Sequence, residues 1–220
     1  MIVAPSVLSL DFYKFSDQLE VLNNNADWIH YDVMDGNFVP NISFGPKILK
    51  TIRKNSPLFL DVHLMVKDPG YYTDVFAKNG SDAITFHYES YNDIRKCSTL
   101  IDKIHSYYIK AGISIKPNTN IESIVPILNK VDIVLVMSVE PGFGGQEFNS
   151  NAIKKIQQLN EYRKKNKHHY IIEVDGGVND NNAYELIQNG CDVLVVGSYT
   201  FDGDIKTNIE KLRRTERSKK

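Results

Sequence analysis

Eight short apolar runs alternate along the chain with segments of helical periodicity, and this alternation constrains the fold more than any other feature. The runs are IVAPS, WIHYDV, LFLDVHL, AITFH, ISIKP, DIVLVMSV, YIIEV and DVLVVGS, beginning near residues 2, 28, 58, 83, 113, 132, 170 and 192. Each is short and β-branched, as a parallel strand buried on both faces is. Between the first two, FYKFSDQLEVLNN places Phe12, Phe15, Leu19 and Leu22 on one helical face. Asn79-Gly80, Ala111-Gly112 and Asn189-Gly190 fit left-handed helix caps ahead of the next strand. No hairpin signature interrupts the series. Strand then helix, eight times, is the pattern of an α/β chain closed into a single (β/α)8 barrel. A doubly wound open sheet shares the alternation, but it fits a count of eight poorly. Ala4-Pro5-Ser6 also stands where a dinucleotide-binding GxGxxG would follow the first strand.

A chain of 220 residues can bury one such core. Residues 1–214 are expected to form the barrel, and 215–220 a basic, disordered tail. The net charge of −1 hides an asymmetry: KLRRTERSKK at the end carries six basic groups and one acidic. The body is therefore acidic, which excludes a broad nucleic-acid footprint. Cys97 and Cys191 are isolated, so a reducing compartment is favoured over a disulfide framework. Pro5 and Asp11 interrupt the opening MIVAPSVLSLDF, which lacks a basic start, and no apolar run reaches membrane-spanning length. A cytoplasmic location without membrane partners is the expectation; homo-oligomerisation stays open.

Four side chains able to bind a metal fall at the ends of three runs: His30 and Asp32 in the second, His63 in the third, Asp175 in the seventh. Barrels of this kind place their chemistry at the C-terminal ends of the strands. His30 and Asp32 are two apart and project to one face. Two imidazoles and two carboxylates suit a single divalent ion such as Zn, Fe, Mn or Co. For any one of these residues, a strand histidine pairing with its neighbours or an aspartate capping the next helix is an equal reading. That reading weakens when all four sit at strand ends.

Glycines also gather at the ends of the late strands, in EPGFGGQ (Glu140 to Gln146), DGGV (Asp175 to Val178) and Gly197-Ser198. They allow backbone to approach an anion closely, which points to a phosphorylated ligand. Met34, Met65 and Met137 lie at or past strand ends, as core filler or as a soft wall around a planar intermediate. Lys116 and His87 are placed to meet substrate or to pair with nearby acids. Glu89 and Glu173 are candidates to orient the ligand histidines.

Eight stretches in register give the chain its likeness: APSVLSLDF, ADWIHYDVMDGNFVPNISFGP, DVHLMV, ITFHYE, IKPNT, VMSVEPGFGGQEF, EVDGGV and VVGS. Over nearly its whole length the chain resembles the ribulose-phosphate 3-epimerase family. The resemblance implies a TIM barrel with one catalytic divalent metal, interconverting D-ribulose 5-phosphate and D-xylulose 5-phosphate in the pentose phosphate pathway. It assigns the metal ligands to His30, Asp32, His63 and Asp175, and the acid/base pair to Asp32 and Asp175. Substrate contacts fall on Ser6, His63, Gly142, Phe143, Gly144, Gly145, Asp175, Gly176, Gly177, Gly197 and Ser198. The sequence departs from the family pattern at Tyr31, Asn118 and Tyr199.

The implied chemistry removes the C3 proton beside the C2 ketone and returns one to the opposite face. A metal-stabilised cis-enediolate lies between, and Asp32 and Asp175 exchange the roles of base and acid. Three alternatives share parts of this pattern. A 3-epimerase of a hexulose phosphate such as D-allulose 6-phosphate would use the same metal and carboxylates. A phosphosugar lyase on a related barrel would be expected to carry a lysine where Met34 stands. A non-catalytic phosphosugar binder would not need the complete His/Asp/His/Asp set.

Overall fold

All eight expected runs form strands, and every neighbouring pair in the sheet is parallel. The computed structural model describes residues 1–217. The strands are β1 (Ile2–Pro5), β2 (Trp28–Met34), β3 (Phe59–Met65), β4 (Ala83–His87), β5 (Lys110–Ile115), β6 (Ile133–Met137), β7 (Ile171–Asp175) and β8 (Val193–Val196). Their order is β1-β8-β7-β6-β5-β4-β3-β2, and a parallel bridge from Ser6 to His30 joins the two ends. The sheet is thus a closed (β/α)8 barrel, as expected.

The helices around it are α1 (Phe15–Asn25), α2 (Pro46–Asn55), α3 (Pro69–Ala77), α4 (Ile94–His105), α5 (Asn151–Asn166), α6 (Asp180–Gln188), α7 (Ser198–Phe201) and α8 (Ile205–Arg217). Leu19 and Leu22 bury against the strands, whereas Phe12 lies in a 3-10 turn ahead of α1 and is half exposed. The expected helix between β5 and β6 does not form. Pro126 lacks an amide hydrogen and crowds the preceding turn, and two 3-10 turns (Ile121–Ser123 and Val125–Ile127) take its place. Lys155 reaches across from α5, and its ammonium donates to the carbonyls of Lys116, Pro117 and Thr119 at 2.8, 2.7 and 2.6 Å. Three carbonyls of the loop leading into those turns thus share one buried cation.

Two further expectations are corrected. β5 starts at Lys110, so Ala111-Gly112 lies inside the strand and caps nothing. Gly112 answers a packing demand instead, because a Cβ there would stand 2.1 Å from Thr85 Oγ1 on the neighbouring strand. Gly80 and Gly190, by contrast, take the positive φ expected of them, both at 105°. The tail expected from residue 215 begins as helix, since α8 continues through Arg217. The Met1 ammonium holds Glu216 at 2.9 Å there, and the Thr215 hydroxyl donates to Leu212 O. Residues 218–220 lie outside the described residues.

Alternate strand residues face outward, where Ile29, Tyr31 and Val33 pack under the helices in the main core. Tyr31 points away from the barrel axis, and its hydroxyl donates to Gly45 O at 2.8 Å. Inside, the lower floor is apolar, built from Ala4, Val193 and Val195 with Ile2, Trp28 and Ile171. Above it the interior turns polar: His30, Asp61, Thr85, Ser114 and Glu173 are all fully buried.

A regular clasp closes the lower rim. Asp27, Asp82, Asp132 and Asp192 stand immediately before β2, β4, β6 and β8. Each accepts a backbone N–H from the preceding odd strand, at Val3, Leu60, Ala111 and Ile172. Each also pairs with a cation, from Arg213, Arg53, Lys110 and Arg163 in turn. The barrel therefore repeats as four two-strand units. Among the described residues no helix is long and apolar enough to cross a membrane.

Candidate active site

The four expected metal-binding residues converge at the upper mouth. One ligand atom from each of His30, Asp32, His63 and Asp175 lies within 4.8 Å of all the others. Register explains this: Asp32 on β2 stands beside His63 on β3, and one step below, His30 stands beside Asp61. Asp175 ends β7, three strands round the ring from β2.

Asp32 divides its two oxygens. Oδ1 lies 3.1 Å from His63 Nδ1 and 3.3 Å from His30 Nε2, while Oδ2 accepts a hydrogen bond from Ser6 Oγ at 2.6 Å. Ser6, just past β1, is itself fixed because its Oγ accepts the Leu8 N–H at the start of a 3-10 turn. His30 Nδ1 lies 2.6 Å from Asp61 Oδ2, whereas its buried Nε2 has no hydrogen-bond partner. A buried ring nitrogen left orphaned beside two carboxylates and a second imidazole fits a divalent cation of the Zn, Fe, Mn or Co class.

Without a cation the cluster also pulls its own protonation states apart. Burial opposes charging of His30, yet Asp32 and Asp61 raise its pKa well above the ordinary histidine value. Burial pushes the Asp175 carboxyl up to about 6, with the Asp32 charge adding to the rise. For Asp32 burial acts in the same sense, but the charge of His30, with His63, holds it well below the usual carboxylate range. Without a cation, then, one acid of the pair favours its proton and the other its charge.

Above the cluster opens a cavity of about 50 Å³. Ser6, Asp32, Gly142 to Gly145, Asp175 to Gly177, Gly197 and Ser198 all line it, as do Met34, Met65 and Met137. His63 does not; it is fully buried beneath Asp32. Gly177 has φ 63° and packs so closely on Phe148 that a Cβ would come within 2.4 Å of the Phe148 N. Asn41 Nδ2 donates to Gly142 O at 2.8 Å, tying the loop after β2 to the glycine loop after β6. Lys116 does not line the cavity; its ammonium sits 4.4 Å over the Phe38 ring.

The outer shell differs from expectation. Glu173 lies 3.7 Å from His30 Nδ1, but the nearer acceptor at 2.6 Å is Asp61, which the sequence reading passed over. Its signal was present, since Asp61 precedes His63 by two on one strand and must share its face. Glu89 touches neither expected ligand and instead pairs with His87, whose Nε2 is 2.9 Å from His63 Nε2.

Residues 2–201 match the Ribulose-phosphate 3 epimerase family. The chain belongs to that family. It is 42% identical to the ribulose-phosphate 3-epimerase of Helicobacter pylori J99, over 97% of each chain. It is 40% identical to that of Bacillus subtilis, over 96% of this chain and 97% of the other. The chloroplastic ribulose-5-phosphate-3-epimerase of Arabidopsis thaliana is 43% identical, over 91% of this chain and 72% of its own. Among solved structures, 3-hexulose-6-phosphate synthase from Salmonella typhimurium superposes with a TM-score of 0.73 at 15% identity, covering 99% of both chains. That likeness shows the barrel alone. As a member of the ribulose-phosphate 3-epimerase family, the chain is an enzyme of carbohydrate metabolism, and the converged cluster is its candidate active site.

Proposed function

We propose that this family member is a metal-dependent 3-epimerase interconverting D-ribulose 5-phosphate and D-xylulose 5-phosphate, with Asp32 and Asp175 moving the C3 proton. The observation that carries the reading is the convergence of His30, Asp32, His63 and Asp175 beneath one cavity that both carboxylates line. The near-full-length likeness to named ribulose-phosphate 3-epimerases supports the substrate.

One divalent cation held by the four residues would supply Lewis acidity, which makes the proton beside a ketone removable. The protein's own groups do the rest. Asp32 turns Oδ1 toward the two histidines and Oδ2 toward Ser6, so one oxygen serves the cluster while the other stays available at the cavity wall. Asp175 reaches the same cavity from a different strand. One acid removes the proton from one face while the other delivers a proton to the opposite face, and the reverse reaction exchanges their roles. Met34, Met65 and Met137 exclude water around the intermediate, which is planar at C3. Phosphate anchored by the Gly142–Gly145 loop, Gly176-Gly177 and Gly197-Ser198 would hold the sugar in register for both transfers.

The test is turnover in D2O of ribulose 5-phosphate and, in parallel, allulose 6-phosphate. Deuterium is expected at C3 of the product, with the pentose preferred. Asp32→Asn and Asp175→Asn should each fold and lose more than 99% of turnover. Retention of a tenth of wild-type activity by either variant, or a product without deuterium, overturns the two-carboxylate scheme.

A further inference from the structure

A line of hydrogen-bonding groups runs from the expected metal cluster to the loop after β5, and the proposed chemistry does not use it. His63 Nε2 and His87 Nε2 are 2.9 Å apart, and His87 Nδ1 is 3.1 Å from Glu89 Oε2. Glu89 Oε1 accepts the Lys116 N–H at 2.7 Å and the Thr119 hydroxyl at 2.5 Å. The segment carrying those donors is pinned by the three bonds of Lys155. Both imidazoles are fully buried.

The proton positions along this line follow from counting. Two nitrogens 2.9 Å apart share a single proton, so one ring donates and the other accepts. Glu89 takes two donors on Oε1, and as a carboxylate it offers His87 only an acceptor at Oε2. His87 therefore carries its proton on Nδ1 and offers the Nε2 lone pair. His63 must then carry a proton on Nε2, so that as a neutral ring it turns the Nδ1 lone pair toward Asp32 Oδ1, 3.1 Å away. On the other side of that oxygen, His30 has Nδ1 2.6 Å from Asp61 Oδ2 and Nε2 3.3 Å from Asp32 Oδ1. With a cation in place of the protons between them, Asp32 Oδ1, His63 Nδ1 and His30 Nε2 would turn three lone pairs to one point.

We propose that His87 and Glu89 are positioning residues that lock His63 in its Nε2–H tautomer, so that it offers Nδ1 to the cation while His30 offers Nε2. With the cation bound, the two histidines would thus be held in opposite tautomers by two separate carboxylates. Without the His87 acceptor, the His63 proton moves to Nδ1, where Asp32 attracts it, and the ligand atom is lost. The proposal rests on the metal-dependent reading above, but its first readout does not.

The experiment compares wild type with His87→Leu, His87→Gln and Glu89→Ala, each as the full chain. Long-range 15N–1H spectra of the metal-free proteins report the His63 tautomer, and Co2+ titration reports affinity and the visible d–d spectrum. Wild type is expected to show Nε2–H at His63. His87→Leu should shift the proton to Nδ1 and weaken Co2+ binding about 10- to 100-fold. His87→Gln keeps an acceptor oxygen and should restore the tautomer and affinity to within about 3-fold of wild type. Glu89→Ala, less buried and safer for folding, should flip His63 through His87 without touching it. An unchanged His63 tautomer in both His87→Leu and Glu89→Ala overturns the proposal, as does wild-type His63 already protonated on Nδ1. If wild type shows the Nε2–H tautomer but takes up no Co2+, the metal reading fails while the tautomer lock stands.

Discussion

Ser6 Oγ donates to Asp32 Oδ2 at 2.6 Å, tying the end of the first strand to the carboxylate proposed to carry the C3 proton. The bond fixes which oxygen faces the cavity wall and which faces the histidines. Ser6→Ala should lower kcat about 10- to 100-fold, since a hydrogen bond to a charged group is worth roughly 1.5–3 kcal/mol. Co2+ affinity should stay within about 3-fold of wild type, because Oδ1 keeps its neighbours. Steady-state kinetics beside a Co2+ titration checks both; equal losses in the two would assign Ser6 to the cluster as a whole.

Chelation should abolish turnover and leave the barrel folded. A ligand at 100 times its Kd stabilises by about 2.7 kcal/mol, or roughly 5–10 °C in Tm for a chain of this size. Calorimetry of chelated and Zn- or Co-loaded protein measures the shift. Loss of the far-UV helical signal on chelation would contradict a core that holds without the ion.

Asn41→Ala removes the bond that ties the β2–α2 loop to Gly142. The glycine loop contributes to the cavity wall without a proposed proton-transfer group, so the expected effect is a rise in KM of about 3- to 10-fold with a smaller change in kcat. A fall in kcat at unchanged KM would place this contact in the chemical step instead.

Acid should attack the lower rim. Burial alone would raise the Asp132 carboxyl, but the Lys110 ammonium, the Ala111 N–H and His105 together hold its pKa below the ordinary aspartate value. A carboxyl depressed on folding contributes stability that is complete above its unfolded pKa of about 3.9 and is lost as pH falls through the folded value. Urea midpoints for wild type should therefore drop between pH 5 and pH 3. Asp132→Asn should start lower at pH 7 and fall less steeply over that window, and parallel curves would remove Asp132 from the acid response.

Gly112→Ala should destabilise by about 1–3 kcal/mol through overpacking against Thr85. Adding Thr85→Ala to the same chain should recover most of that loss, giving a coupling detectable in a double-mutant cycle by denaturant unfolding. Additive losses would mean that the strain lies in the backbone.

The candidate site was legible because period-two alternation and strand-end position are local properties. His30, Asp32 and His63 could be placed on one face by counting, and Asp175 by its place at the end of the seventh run. Asp61 obeys the same count and could have been found; its register beside His30 is the tie that strand spacing alone leaves implicit. Glu89 could not have been paired correctly from the sequence. Its choice of His87 depends on where Lys116 and Thr119 come to rest, and a buried lysine 36 residues beyond Thr119 decides that. The start of the fifth strand is masked in the sequence because Gly112 resembles a helix stop, when its role is to leave room for a neighbour. The missing helix after it could be foreseen from Pro126. The four aspartates before the even strands are a plain sequence regularity, and their meaning emerges only when each is seen holding the strand next door.

That clasp divides the molecule into four two-strand quarters. Each carboxylate joins one pair of strands at the rim remote from the chemistry, so chain breaks placed between quarters should spare every clasp-to-amide bond within a pair. Fragments cut after residue 57 or after residue 108 would each keep whole clasped pairs and reassemble around the same cavity. Heat tolerance could be tuned along that lower edge without touching the rate of the reaction above it.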